Sequence, residues 1–326
     1  MDPFTHALSG MAASFCLPLN KKRQHVFCIL AASLPDIDNL AFLWGHEAYL
    51  IHHRGFCHSF AGGFLLAVIL LLIYRRFDKD FAWYKVLCLA YFLVGLHLFL
   101  DVITSYGTQL LLPLSNHRWS MPCVFIIDFL LTGTLAAGVF GACVVKKHRK
   151  KIALFTMTFI FLYPGFCKII HFFQLERSKT VLSHEIKDIH HITVLPDLCA
   201  PIYWKIIIEK ENYYELRHLS ILKDIRLSKS YRYKKADLNQ MIKTTPHISF
   251  LKTFAWFVDF PVEKQENINQ MKSITVFDLK FVTVIPWLKI QRDNRMPFQL
   301  HLFYNEQREL KTYYLGTHST NDNYVE

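Results

Sequence analysis

The feature that most constrains this chain is a series of four apolar runs in its first half. They cover Ser59–Tyr74, Val86–Leu100, Cys123–Val145 and Ile152–Phe173. The last two contain 23 and 22 residues, enough for a helix to cross a bilayer core of about 30 Å. Hydrophobic residues make up 52% of the whole chain. We predict a multi-helical, all-α membrane domain with about four to six membrane segments.

The net charge of +11 is concentrated in short links between the apolar runs. Residues 21–23, 75–85 and 146–151 include 12 basic and 2 acidic residues, so these links carry +10 of that charge. Basic links of this kind favour the cytoplasmic side of a membrane. The charge is therefore interpreted as a topology signal, the expected partner is the lipid bilayer, and no nucleic acid is expected.

If the basic links lie in the cytoplasm, the direction in which each segment crosses the membrane follows. Phe4–Leu19 then runs inward, Val26–Leu34 outward, and the four long runs alternate after them. With this topology the unusual polar residues all fall at the outer, periplasmic ends of their segments, and they are His6, Asp36, Asp38, the histidine stretch His52–Ser59, His97, Asp101 and Asp128. Randomly placed polar residues would not gather on one side, so we predict a polar cluster there.

Imidazole and carboxylate groups together form a ligand set for zinc, manganese or iron. His97 and Asp101 are four residues apart and share one helix face, where Gly95 is expected to allow close approach of a neighbouring segment. Asp36 and Asp38 follow a proline and are expected on a loop. The histidines and aspartates exceed one tetrahedral site, so a centre of two or three ions remains open.

Such centres activate water and bind the oxygens of a phosphodiester during its displacement. In this interpretation Arg54 neutralises a bound phosphate, and Asp38 or Asp128 acts as the general base. The predicted protein is a membrane-bound metal-dependent hydrolase with a lipid or envelope-associated phosphoester as substrate. The metal is expected to be zinc, with manganese as the alternative.

Two other interpretations remain open. In the first, the protein is a non-enzymatic envelope protein in which a metal or polar cluster is structural and the second half binds a partner. His97 with Asp101 is then a buried pair, and Asp128 pairs with Arg54 or Arg118. In the second, the protein is a transporter, which is the weaker alternative because transporter sites lie near the middle of the membrane.

The second half of the chain has a different pattern. From about Glu176, tyrosine, lysine and isoleucine alternate with a period of two, which is typical of strands. We predict a helical domain over 1–175 and a small β-rich extramembrane domain over 176–326, on the periplasmic side, ending in a frayed tail from Thr317. The predicted strands are Ile202–Glu209, Tyr213–Leu219, Phe250–Val262, Ser273–Val282, Gln299–Tyr304 and Leu310–Leu315.

Several ordered motifs also carry a family resemblance. They are Met1–Gly10, Leu34–Asp38, His52–Ser59, His97 with Asp101, Thr104–Thr108 and Ile126–Asp128. With them the chain resembles the YdjM-like family of bacterial inner-membrane proteins, which are described as metal-dependent hydrolases and are distantly similar to zinc-dependent phospholipases C and single-strand zinc nucleases. The resemblance implies support from Asp38 and Asp128 and metal ligation by His6, Asp36, His53, His58, His97 and Asp101. The chain departs from the family pattern at Cys57, where family members usually have threonine.

Overall fold

The computed structural model describes most of the chain, namely residues 1–17, 22–78, 82–186, 188–222, 225, 228–268, 271–285, 297–307 and 309–316. The chain divides into two compact units, Met1–Ile170 and His171–Glu326, and each is described by itself. The tail predicted from Thr317 lies outside the described residues.

The first unit is mainly helical, and the stretch between Val102 and Phe129 contains turns and the β-bridge of Thr108 with Trp119. Its α-helices are α1 Pro3–Cys16, α2 Lys22–Ser33, α3 His46–His52, α4 Phe60–Phe77, α5 Trp83–Val102, α6 Phe129–Val144 and α7 Arg149–Glu185, which continues into the second unit. Short 3₁₀ helices cover Leu34–Trp44, Phe56–His58 and Lys146–His148. Among the described residues, four stretches are long and apolar enough to cross a membrane, and they are Lys22–Trp44, Phe60–Phe77, Trp83–Val102 and Lys146–Ser183. The predicted multi-helical membrane domain is confirmed.

Two details of the predicted segments were wrong. The run from Cys123 does not begin a helix there, because Asp128 caps α6 by accepting hydrogen bonds from the backbone N–H groups of Leu130 (3.1 Å) and Leu131 (2.9 Å). Asp36 and Asp38 lie in the 3₁₀ helix Leu34–Trp44 and not on a loop. A proline at the second position of this helix is compatible with a helix start, since its missing N–H has no partner to lose there.

Close packing of α1 against α2 depends on a glycine. A Cβ at Gly10 would lie 2.5 Å from the carbonyl oxygen of Cys28 and 2.8 Å from the Cβ of Ala32. Small residues at such a crossing let two backbones approach closely. The expectation for Gly95 was wrong, since a Cβ there would meet nothing within 4 Å.

The second unit contains one antiparallel sheet of eight strands in sequential order. The strands are β1 His191–Pro196, β2 Tyr203–Glu209, β3 Tyr213–Ser220, β4 Ser230–Lys235, β5 Pro261–Ile268, β6 Met271–Asp278, β7 Leu300–Tyr304 and β8 Leu310–Leu315. Helices α8 Leu238–Thr244 and α9 Ser249–Phe257 connect β4 to β5. The predicted β-rich domain is confirmed, including the hairpin of β2 and β3.

The strand predicted over Phe250–Val262 was wrong. Its first part is α9, whose buried residues Phe250, Leu251, Phe254 and Phe257 follow the three-to-four-residue period of a helix. The strand β5 begins only at Pro261. Strands β1 and β4 were missed, and the predicted strand from Ser273 ends at Asp278, where a 3₁₀ turn follows.

A buried lysine connects β2 to the segment that follows β6. Lys205 is fully buried, and its Nζ donates hydrogen bonds to the backbone carbonyls of Lys280 and Val282, both at 2.6 Å. Burial lowers the pKa of Lys205 to about 8, against the opposing charges of Asp197 and Asp278. Burial of the charged ammonium group therefore lowers the free energy of unfolding by an amount that depends on pH.

We expect this cost to appear as a pH-dependent stability. The folded pKa lies below the unfolded value, so the unfolded state binds more protons between about pH 8 and pH 10.5 and stability rises with pH across that window. A shift of this size corresponds to about 3 kcal/mol. Urea unfolding followed by hydrogen exchange of β2 should show the rise in wild type and not in Lys205→Met. Equal pH dependence in both proteins would contradict this assignment.

Candidate metal centre

The histidine stretch His52–Ser59 forms the connection between α3 and α4. Arg54 adopts a left-handed conformation with φ of 55°, and the next residues form the 3₁₀ turn Phe56–His58. Ser59 then caps α4, because its side chain accepts a hydrogen bond from the N–H of Gly62 at 2.9 Å. This sequence of turn and cap fixes the backbone on both sides of His58, which is fully buried.

Four residues from three different elements meet at one point. Asp36 belongs to the first 3₁₀ helix, His58 to the turn before α4, and His97 and Asp101 to successive turns of α5. Their ligand atoms all lie within 4.8 Å of one another. The Nε2 atom of His58 is 3.0 Å from Nε2 of His97 and 3.1 Å from Oδ2 of Asp101. Oδ1 of Asp36 is 3.7 Å from both imidazole Nε2 atoms.

The outer hydrogen bonds of both imidazoles decide which nitrogens face this point. Nδ1 of His97 is 2.7 Å from the carbonyl oxygen of Ala32, which can only accept, so Nδ1 carries the hydrogen. Nδ1 of His58 is likewise 2.7 Å from Oδ2 of Asp38. In their neutral forms both imidazoles therefore present bare Nε2 lone pairs to each other and to two carboxylates. Four acceptors at this spacing need a positive charge, which either a proton on an imidazole or a bound cation supplies.

The donor set fits a divalent cation. Ligands about 2.05 Å from a tetrahedral zinc ion are separated by about 3.3 Å. The Nε2 atoms of His58 and His97 lie between 3.0 and 3.7 Å from each other and from the nearest oxygens of Asp36 and Asp101. The buried oxygens Oδ2 of Asp36 and Oδ2 of Asp101 have no hydrogen-bond partner among the described residues. Burial alone would lower the pKa of His58, but its contacts with Asp101, Asp36 and Asp38 raise it to about 10. The surroundings thus favour a cation here.

Other residues predicted as ligands lie around this group. The imidazole of His6 stacks on that of His97 with ring centroids 3.6 Å apart, and its Nε2 is 3.4 Å from Oδ1 of Asp101. Neither ring nitrogen of His6 has a hydrogen-bond partner in the described part of the chain. Nδ1 of His53 is instead 3.2 Å from Oδ1 of Asp38. Asp38 therefore lies between two histidines, His53 and His58, and orients the second.

Arg54 neutralises the buried carboxylate of Asp101. Its Nη2 lies 2.9 Å from Oδ1 of Asp101, which the nitrogen of Met1 also contacts. Its Nη1 donates to Oγ1 of Thr104 at 3.0 Å, and its guanidinium lies 4.6 Å from the ring centroid of Tyr106. The Nε of Arg54 has no hydrogen-bond partner within the described residues. Sequence spacing does not predict that Tyr106 contacts Arg54 or that the Ala32 carbonyl contacts His97.

Asp128 is placed differently from the other predicted site residues. Besides capping α6, its carboxylate accepts a hydrogen bond from the hydroxyl of Tyr163 at 2.9 Å. Within the described residues, the hydrogen bonds of the Asp128 carboxylate join it to α6 and α7 and not to the four-residue group. Its catalytic role stays a prediction.

Gly62 connects helix packing to this site. A Cβ at Gly62 would lie 1.8 Å from the carbonyl oxygen of Phe56, in the turn that carries His58. Gly62→Ala is therefore expected to displace that turn, to cost about 2 kcal/mol of stability and to reduce the bound metal. Thermal unfolding and metal content would be measured beside Gly95→Ala, whose added Cβ meets nothing within 4 Å. Identical behaviour of the two variants would contradict the coupling.

The fold and the site together define a class, a multi-pass membrane protein with a buried histidine–aspartate group suited to a metal ion. The family model described as YdjM inner membrane protein matches residues 1–174. The chain therefore belongs to the YdjM inner membrane protein family.

Among curated proteins, the chain is similar to the uncharacterized protein YfhP of Bacillus subtilis (strain 168). The two are 29% identical over 151 residues, which is 42% of this chain and 45% of the relative. The chain thus matches less than half the length of this relative. No solved structure matches the chain.

Proposed function

We propose that this protein is a membrane-embedded, metal-dependent hydrolase of a phosphoester in a lipid or an envelope intermediate. The observation that carries the proposal is the meeting of two bare imidazole nitrogens and two carboxylates from Asp36, His58, His97 and Asp101. Zinc is the metal that this nitrogen and oxygen donor set fits best, with manganese as the alternative.

A divalent cation held by these residues supplies Lewis-acid activation of water and neutralises charge on a phosphoester oxygen. The chain's own residues do the rest. His6, stacked on His97, adds a further ligand on the side of Asp101. Asp38 accepts the hydrogen of His58 Nδ1 and so keeps the opposite nitrogen free, which favours a positioning role for Asp38 over that of a general base.

Arg54 is the residue that we assign to the substrate. Two of its nitrogens are held by Asp101 and Thr104, so its orientation is fixed. Its Nε is the atom proposed to donate a hydrogen bond to a phosphate oxygen, since charge-assisted bonds of this kind suit phosphate. The test is turnover of a phosphodiester by metal-loaded protein in detergent, with loss of turnover on chelation.

We also propose that the metal centre and the second unit lie on the periplasmic side. The support is the basic composition of the links at residues 75–85 and 146–151, since basic links favour the cytoplasm. Alkaline phosphatase fused after Glu326 is expected to be active, whereas a cytoplasmic reporter at that position should be inactive. The opposite pattern would reverse the topology without affecting the metal assignment.

A further inference from the structure

The first unit has a groove on its surface between α1, α5 and α7. Helices α5 and α7 meet at Phe99 and Phe161, whose ring centroids are 5.2 Å apart. From this contact toward the first residues of both helices, a cavity of about 320 Å³ is lined by residues of all three helices. The residues that α1 contributes include Ala13 and Cys16, whose small side chains leave this space unfilled.

The lining of the groove is apolar and faces lipid. The described lining contains no charged residue, and Thr158 carries its only hydroxyl group. Phe92, Leu154 and Phe161 line the groove and are exposed, although α5 and α7 both belong to stretches able to cross a membrane. From Leu154 to Phe161 the helix advances about 10 Å, which fits within the hydrocarbon of one leaflet, about 15 Å deep. The groove therefore suits an acyl chain.

Two lysines lie one helical turn beyond the groove, near the first residues of α5 and α7. Lys85 precedes Leu89 by four residues and Lys150 precedes Leu154 by four, so each shares a helix face with a lining residue. Helical side chains point toward the helix N-terminus, which here directs both ammonium groups away from the middle of the membrane. The ammonium of Lys150 is close enough to the thiol of Cys16 to interact with it electrostatically.

The free charge beside the groove is positive. Neither Lys85 nor Lys150 has an ion-pair partner among the residues that the structure describes, and both are exposed. Asp78 is the acidic residue described at this end of the helices, and its Oδ2 is bound by Nη2 of Arg23 at 2.7 Å. Asp80, in the same link, lies outside the described residues. Two unpaired ammonium groups beside an apolar groove favour a ligand that has an anionic head and a hydrocarbon chain.

We propose that this groove binds an anionic phospholipid. One acyl chain lies in the groove, and Lys85 and Lys150 bind the phosphate. Basic residues beside a pocket between membrane helices suit anionic headgroups, and a lysine side chain can lie along apolar surface while its charge reaches the membrane interface. The groove lies toward the first residue of α5, whereas His97 and Asp101 lie toward its last. This lipid site is therefore separate from the metal centre.

The test uses the full chain in detergent, mixed with equal amounts of phosphatidylglycerol and phosphatidylcholine, and native mass spectrometry counts the bound phospholipids. Wild type should retain one phosphatidylglycerol in preference to phosphatidylcholine. Lys85→Gln combined with Lys150→Gln should weaken this binding at least tenfold, since each lysine near an anionic lipid contributes about fivefold. Arg75→Gln combined with Arg76→Gln removes the same charge from the last turn of α4, outside the groove, and should bind as wild type does.

A second pair of variants tests the groove itself. Thr158→Trp adds a large side chain to the lining at an exposed position of α7, and it should also weaken phosphatidylglycerol binding at least tenfold. Phe155→Trp is the matched control, because Phe155 is exposed on the same helix and is not part of the lining. Circular dichroism shows whether each variant is folded, and the two double variants decide the test if Thr158→Trp does not fold.

The alternative is a general attraction of a basic membrane protein to lipid. Equal retention of the two phospholipids by wild type, or equal losses in the two double variants, would establish that alternative and overturn the proposal. Unchanged binding in folded Thr158→Trp would overturn it as well, and so would the absence of bound phospholipid from wild type.

Discussion

Replacing His58 by alanine is expected to remove the bound metal. The Nε2 atom of His58 lies 3.0 Å from Nε2 of His97 and 3.1 Å from Oδ2 of Asp101, which are the two shortest distances in the group. Asp101→Asn is expected to have the same effect, because it replaces a charged ligand by a neutral amide of equal size. Plasma mass spectrometry of protein purified without chelators should show stoichiometric metal in wild type and background levels in both variants.

Two further variants make this test specific. His52→Ala removes an exposed imidazole from the same stretch and should retain the metal. Asp38→Ala removes the acceptor of His58 Nδ1 and should weaken metal affinity by about 10–100-fold without abolishing it. Circular dichroism shows whether each variant is folded. Metal retained in both His58→Ala and Asp101→Asn, or absent from wild type, would reduce the group to a polar packing network.

Turnover of a phosphodiester is expected to fall about 100-fold in Arg54→Lys while the metal is retained. Lysine keeps the positive charge beside Asp101. It lacks the planar guanidinium of arginine, which binds Asp101 and Thr104 through two nitrogens and leaves its Nε free to bind a substrate oxygen. The measurement is release of nitrophenolate from a chromogenic diester, with metal content determined on the same sample.

The matched control for this experiment is Arg75→Lys, in the last turn of α4 and part of a basic link. It should turn over the diester as wild type does. Retained turnover in Arg54→Lys would remove Arg54 from the substrate-binding role. No turnover by metal-loaded wild type on any phosphoester would instead favour the non-enzymatic interpretation, in which the metal is structural.

A sequence-based prediction reached the donor residues of the site but not their arrangement. The spacing of His97 and Asp101 on one helix face was sufficient to predict that they act together, and the structure places both in the four-residue group. Nothing in the spacing of the histidine stretch distinguished His53 from His58. The 3₁₀ turn after Arg54 places His58 in the four-residue group. His53 instead contacts the carboxylate of Asp38.

The same limit applies to the helices and strands. The first helix of the link between β4 and β5 was missed, and the second was predicted as a strand because its aromatic residues have high strand propensity, while their helical period was overlooked. The run from Cys123 was read as one segment, although Asp128 was available as a helix cap. In both places the sequence contains a local helix signal, but the surrounding composition favours a different element more strongly.

The sequence by itself determined that the first half is a helical membrane domain, since apolar runs of this length leave few other solutions in a bilayer. It also predicted that the polar residues collect at one end of the segments. Only the tertiary structure decided that Asp36, His58, His97 and Asp101 meet while Asp128 pairs with Tyr163. Sequence spacing constrains residues within one helix, whereas contacts among separate elements depend on how the helices pack against each other.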